Sequence, residues 1–69
     1  MNDHVYKHLD LTGTSSLNIE DAIQNAVTRA ATTLREIRWF EVKEIRGHVD
    51  AGKVAHWQVT MRIACTLED

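Results

Sequence analysis

The stretch RWFEVKEIRGH, residues 38 to 48, sets Trp39 and Phe40 side by side in a segment that reads as a β-strand. Successive strand side chains point to opposite faces, so one ring enters the core and the other must meet something else. An outward indole either anchors an interface or stacks on a planar ligand. The other chemistry-bearing residues point less clearly to a reaction. His4 and His8 have the spacing of a helical metal site, but on a strand they stand about 13 Å apart, too far to chelate together. Cys65 falls in an apolar row, where a thiol is inert. Glu41 and Glu44 are expected on adjacent faces, as solvated or salt-bridged strand residues rather than an acid–base pair. No catalytic residue and no metal ligand is assigned.

The elements that carry these residues follow from periodicity. Val5 to Leu11 alternate as a first strand, and Thr12-Gly13-Thr14-Ser15-Ser16 reads as a turn. Asn18 then precedes Ile19, Ala22, Ile23, Ala26, Val27, Ala30 and Leu34, the three-and-four spacing of an amphipathic helix. Asn18 can cap it, Glu20 and Asp21 suit its positive first turn, and the pattern predicts an end at Leu34 or Glu36. Period two returns from Trp39 to Val49. Asp50-Ala51-Gly52-Lys53 is a hairpin signal, and a last strand follows from Val54 to Leu67. In it Trp57, Val59, Met61, Ile63, Cys65 and Leu67 form one face and His56, Gln58, Thr60, Arg62, Ala64 and Thr66 the other. The expected fold is α+β, a β-α-β-β chain with a three-stranded antiparallel sheet in the order 1-3-2 wrapped on one helix.

Centring the hairpin on Ala51-Gly52 predicts a register. It sets Val49 opposite Val54, Gly47 opposite His56, Ile45 opposite Gln58, Lys43 opposite Thr60, Glu41 opposite Arg62 and Trp39 opposite Ala64, all on the face away from the helix. Phe40 and Val42 then join the core row, and Phe40 is the core ring. His48 and His56 fall on opposite faces, and Arg46 falls on the helix side opposite Trp57. A bulge near Gly47 would exchange these faces.

The totals narrow the class. Sixty-nine residues make one domain spanning 1–69, and Cys65 is the only cysteine, so no disulfide forms within the chain. A chain this small without a staple gains stability by self-association. Ten acidic against eight basic residues give a net charge of −2 with interspersed signs, which supplies no basic stripe for nucleic acid. There is no apolar run of membrane length, and Met1 to His8 lack the apolar stretch of a signal peptide, so a cytoplasmic protein without membrane contact is expected.

Three segments together, GTSSLNIEDAIQNAV, WFEVKEIRGH and GKVAHWQVTMRI, closely resemble the dodecins, small flavin-binding proteins of bacteria and archaea. The resemblance spans essentially the whole chain. It implies a β-α-β-β protomer assembled into a hollow dodecamer, with FMN or riboflavin bound in pairs between subunits. It implies that Trp39 stacks on the isoalloxazine ring, Gln58 hydrogen-bonds the ring's polar edge and Arg46 meets the phosphate end of FMN. The implied role is storage and protection of flavin, whose bound ring is quenched by electron transfer from the indole. Members that also hold coenzyme A often carry a basic residue near the end of the last strand. Thr66 stands there in this chain, which makes coenzyme A a doubtful ligand.

The residues themselves add one constraint. In the predicted register Gln58 lies six residues from Trp39 along the strand, about 20 Å, twice the length of a tricyclic ring. A site using both must be completed by a second chain. The alternative is a cofactor-free, self-associating module with Trp39 as an interface anchor. An enzyme acting through the flavin is a poor third, because no proton-transfer group is expected beside the ring.

Overall fold

The computed structural model describes residues 3–67. Within them β1 (Tyr6–Ser15), α1 (Ile19–Ala30), β2 (Ile37–Asp50) and β3 (Lys53–Thr66) follow in order, and the sheet runs β1-β3-β2 with both pairings antiparallel. The expected fold is the observed one. The alternation of β3 explains its central place: Val59, Met61 and Ile63 are fully buried, packed against Ala22 and Ala26 of α1 and flanked by Leu9, Leu11, Ile23 and Val27.

Two element ends differ from expectation. The segment read as a turn, Thr12 to Ser15, continues β1, paired with Thr60 to Trp57 of β3. Gly13 is needed there for closeness rather than for a turn. A Cβ on it would stand 2.0 Å from the carbonyl oxygen of Ala22 and 2.9 Å from the Cβ of Ala26. The helix thus lies directly on the β1 backbone. The helix also ends at Ala30, one turn early. Apolar spacing continues to Leu34, but Thr32 donates its hydroxyl to the carbonyl of Arg29 at 2.7 Å, a local bond with which threonine competes against helix continuation. Leu34 still packs on the core from outside the helix.

Asn18 caps the helix as expected, its Oδ1 accepting from the amide of Asp21 at 2.7 Å. Ser15, buried at the end of β1, donates its hydroxyl to Asp21 Oδ2 at 2.7 Å and accepts from the amide of Leu17 at 2.9 Å, fixing where α1 begins. At the other end of the sheet Ala51 and Gly52 both take positive φ between Asp50 and Lys53, as a type I′ hairpin turn requires.

The predicted hairpin register holds at both ends and fails between them. Val49 faces Val54, while Glu41 and Trp39 face Arg62 and Ala64 as expected. A register shift between His48 and Val49 leaves Ala55 of β3 as an extra residue, and a second between Val42 and Glu44 leaves Lys43 of β2 extra. The two cancel. Over the intervening segment Gly47 faces Trp57 instead of His56, Ile45 faces Val59 instead of Gln58, and Glu44 takes the place expected for Lys43 opposite Thr60. One extra residue exchanges faces and a second on the partner strand restores them, so Trp39 keeps its predicted face although the segment from Glu44 to His48 does not.

The core is narrower than expected. α1 packs over β1 and β3 and leaves β2 uncovered. Phe40 and Val42 do stand on the helix side, opposite Ile63 and Met61, but they are 48% and 38% exposed, and Ile45 is 50% exposed. Phe40 is therefore not a core ring of the single chain. An apolar row on a 14-residue strand with no cover is an unfinished interface.

Candidate functional site

The face of the sheet turned away from α1 carries the residues of interest. Across its wide end runs the row Trp39, Ala64, His8, one residue from each strand. Ala64 is fully buried while Trp39 is 40% exposed. The indole lies 5.3 Å from the His8 ring, edge to face, and 6.2 Å from the Tyr6 ring at a tilt. Trp39 thus points outward as expected, and two rings of β1 hold it upright. The sequence pattern missed Tyr6 and His8, although their alternation in β1 placed them on this face.

Arg46 and Gln58 stand directly opposite each other near the far end of the same face. This overturns the expected helix-side position of Arg46 opposite Trp57 and the pairing of Gln58 with Ile45. The cause is the extra residue Ala55, which moves Arg46 across the sheet. The shift strengthens the grouping, because both polar residues now share one surface. Arg46 is ion-paired with Glu44. The same pair of bulges sets Glu41 and Glu44 on one face, opposite Arg62 and Thr60, rather than on adjacent faces.

The two ends of the surface remain apart. Gln58 is six residues from Ala64 along β3, about 20 Å at 3.3 Å per residue, so Trp39 and the Arg46–Gln58 pair cannot touch one tricyclic ring within a chain. A groove of about 670 Å³ between β1 and α1 is lined by Leu11, Asn25 and Arg29 among others, and none of Trp39, Arg46 and Gln58 borders it.

Between these ends lies a charged band. Lys43, the extra residue of β2, reaches Asp10 Oδ2 of β1 at 3.1 Å, and Arg62 Nε stands 3.5 Å from Asp10 Oδ1. Arg62 therefore pairs with Asp10 and not with Glu41, its neighbour in register. The Lys43 hydrogen bond, helped by the charges of Lys43 and Arg62, holds the Asp10 carboxyl below its ordinary value of 3.8. A carboxyl lowered in the folded state adds stability above its unfolded value, and that stability is lost as pH falls through the lowered one. Asp10→Asn is expected to flatten the acid side of the stability profile near pH 4 and below and leave its neutral and alkaline shape unchanged, as thermal melts across pH would show.

Cys65 is buried, on the helix side opposite Lys7 of β1. Among the described residues no group of three or more His, Cys, Asp and Glu side chains could hold a metal, and no helix is long and apolar enough to cross a membrane.

Comparison with known proteins agrees with this architecture. The family model described as Dodecin matches residues 5–68. A dodecin of Thermus thermophilus is 48% identical over 65 residues, 94% of each chain. Among solved structures, the dodecin of Streptomyces davaonensis superposes with a TM-score of 0.94 at 43% identity, covering 99% of this chain and 100% of the other. That of Streptomyces coelicolor gives 0.94 at 45% identity, covering 100% and 99%. With the family match over nearly the whole chain, 48% identity to a curated dodecin and the same fold in the solved dodecins, the chain belongs to the dodecin family.

Proposed function

We propose that this protein is a non-catalytic flavin-binding oligomer that stores and protects riboflavin or FMN. In this reading Trp39 of one chain stacks on the isoalloxazine ring, while Gln58 and Arg46 of a second chain meet its polar edge and phosphate end. The carrying observation is the split surface, an exposed indole about 20 Å along the sheet from the Arg46–Gln58 pair. An exposed indole offers a large flat stacking area at little conformational cost. A glutamine amide, with one acceptor and two donors, matches a pyrimidine edge. Arg46 sheds an exposed partner, Glu44, at small cost to meet a phosphate in bidentate fashion. Family membership supports the assignment. The outward face carries no group placed for proton transfer beside the indole except His8, which is engaged edge-on with it.

Titration of the purified oligomer with riboflavin, FMN and FAD, followed by quenching of flavin fluorescence, tests the reading directly. Saturable quenching by riboflavin or FMN supports it, and a colourless protein indifferent to all three flavins rejects it in favour of a cofactor-free module. Arg46→Ala is expected to weaken FMN by about 1.5 to 3 kcal/mol, the usual worth of a hydrogen bond to a charged group, and to leave riboflavin almost unchanged.

Assembly, in a dodecamer by the family reading, is the second requirement. Phe40, Val42 and Ile45 supply the apolar surface for it. Ile45→Asp places a charge in that row and is expected to shift the oligomer to monomers or small species on size exclusion with light scattering. Flavin quenching should disappear with it, although Trp39 is intact. Quenching by a monomer would show that one chain suffices.

A further inference from the structure

The hairpin arms of β2 and β3 project beyond β1, whose pairing stops at Trp57. On this projection the bulge at Ala55 brings together two residues expected on opposite faces. His48 and His56 are direct partners in register, both exposed, with ring centroids 6.4 Å apart and planes inclined at 47°. Among the described residues neither imidazole makes a hydrogen bond to another side chain or to the backbone.

We propose that His48 and His56 form a two-histidine binding site for a late first-row divalent metal such as Ni²⁺, Cu²⁺ or Zn²⁺. Two imidazoles at about 2.0–2.1 Å from one metal ion, with the bonds near a tetrahedral angle, bring their ring centres to roughly 5 Å. The observed pair needs only a small closing rotation to reach that distance, and exposed side chains have rotamer freedom for it. The strand backbone on each side already pays most of the ordering, so the second imidazole acts as a tethered ligand. The setting tolerates a cation. Arg46, two residues before His48, is neutralised by Glu44, and Asp50, about 7 Å further along the strand, faces Lys53 across the turn, so the charges flanking the pair balance on both sides. Two protein ligands leave positions open for water or another donor, and imidazole favours nickel, copper and zinc over magnesium or calcium. The site does not depend on flavin binding.

The test is isothermal titration of chelator-stripped, flavin-free oligomer with NiCl₂ and ZnCl₂ at pH 7.5. About one metal per chain is expected, with His48→Ala and His56→Ala each weakening affinity on the order of a hundredfold, the loss of a tethered second ligand. His4→Ala should bind as the unaltered protein does. Circular dichroism shows that the variants are folded, and His48→Gln repeats the test with a side chain of strand-compatible size. Absence of saturable binding to the unaltered oligomer, or unchanged affinity in the double variant His48→Ala/His56→Ala, would overturn the assignment.

Discussion

Trp39→Ala is expected to leave the assembly intact and to weaken riboflavin binding by about fivefold to 150-fold. The magnitude is that of one ring stacked on an aromatic side chain, about 1 to 3 kcal/mol. Assembly should survive because the indole is exposed on the face opposite the bare row of Phe40, Val42 and Ile45, and its neighbours are Tyr6 and His8 of the same chain. Trp39→Phe keeps a smaller stacking surface and should fall between the two. Residual flavin fluorescence should rise in both variants, since the electron donor is removed or replaced by a poorer one. An assembled Trp39→Ala protein with full affinity would rule out the stacking role, and with it the reason for the outward indole.

Gly13→Ala should have the largest effect on folding. The added Cβ would stand 2.0 Å from a backbone oxygen of α1, and no side-chain rotation can relieve a contact between two backbones. The helix would have to lift from β1, opening space around the buried Ala22 and Ala26. Overpacking of this kind costs about 3 kcal/mol or more. For a chain of this size each kcal/mol lowers the melting temperature by about 4 to 8 °C, so a fall of about 12 °C or more is expected in a thermal melt. Gly52→Ala makes a useful contrast. Gly52 has open space where a Cβ would go and φ of +76°, so its substitution strains only the turn. A Gly13→Ala melt matching the unaltered protein would show that helix and strand do not meet as closely as described.

The legible part of this protein is whatever depends on periodicity alone. The alternation of β3 named the buried row Val59, Met61 and Ile63, the helical spacing named Ala22 and Ala26, and the Ala51-Gly52 turn named the hairpin. These signals are local, repeated over many residues and independent of any partner strand. The outward face of Trp39 was legible for the same reason, although by way of two bulges that cancel. Bulges themselves carry no comparable signal here. Ala55 and Lys43 are ordinary strand residues, and whether one of them slips depends on how the whole ladder twists and packs. Everything between them was therefore misplaced in sequence: Arg46, the partner of Gln58, and the meeting of His48 with His56.

The role of Gly13 was hidden because a glycine beside threonine and serine reads as a turn, while its actual constraint comes from a helix that folds back onto it. The small residues Ala22, Ala26 and Ala30 at four-residue spacing were the available sign that helix and strand approach closely. Composition and pattern by themselves determined one helix, three strands, their order and which ring points outward. Tertiary structure alone decided how far the helix reaches across the sheet, and so left the apolar row of β2 bare. A helix whose contact stripe is alanine sits low on β1 and β3, and a body seated that close cannot also span the third strand.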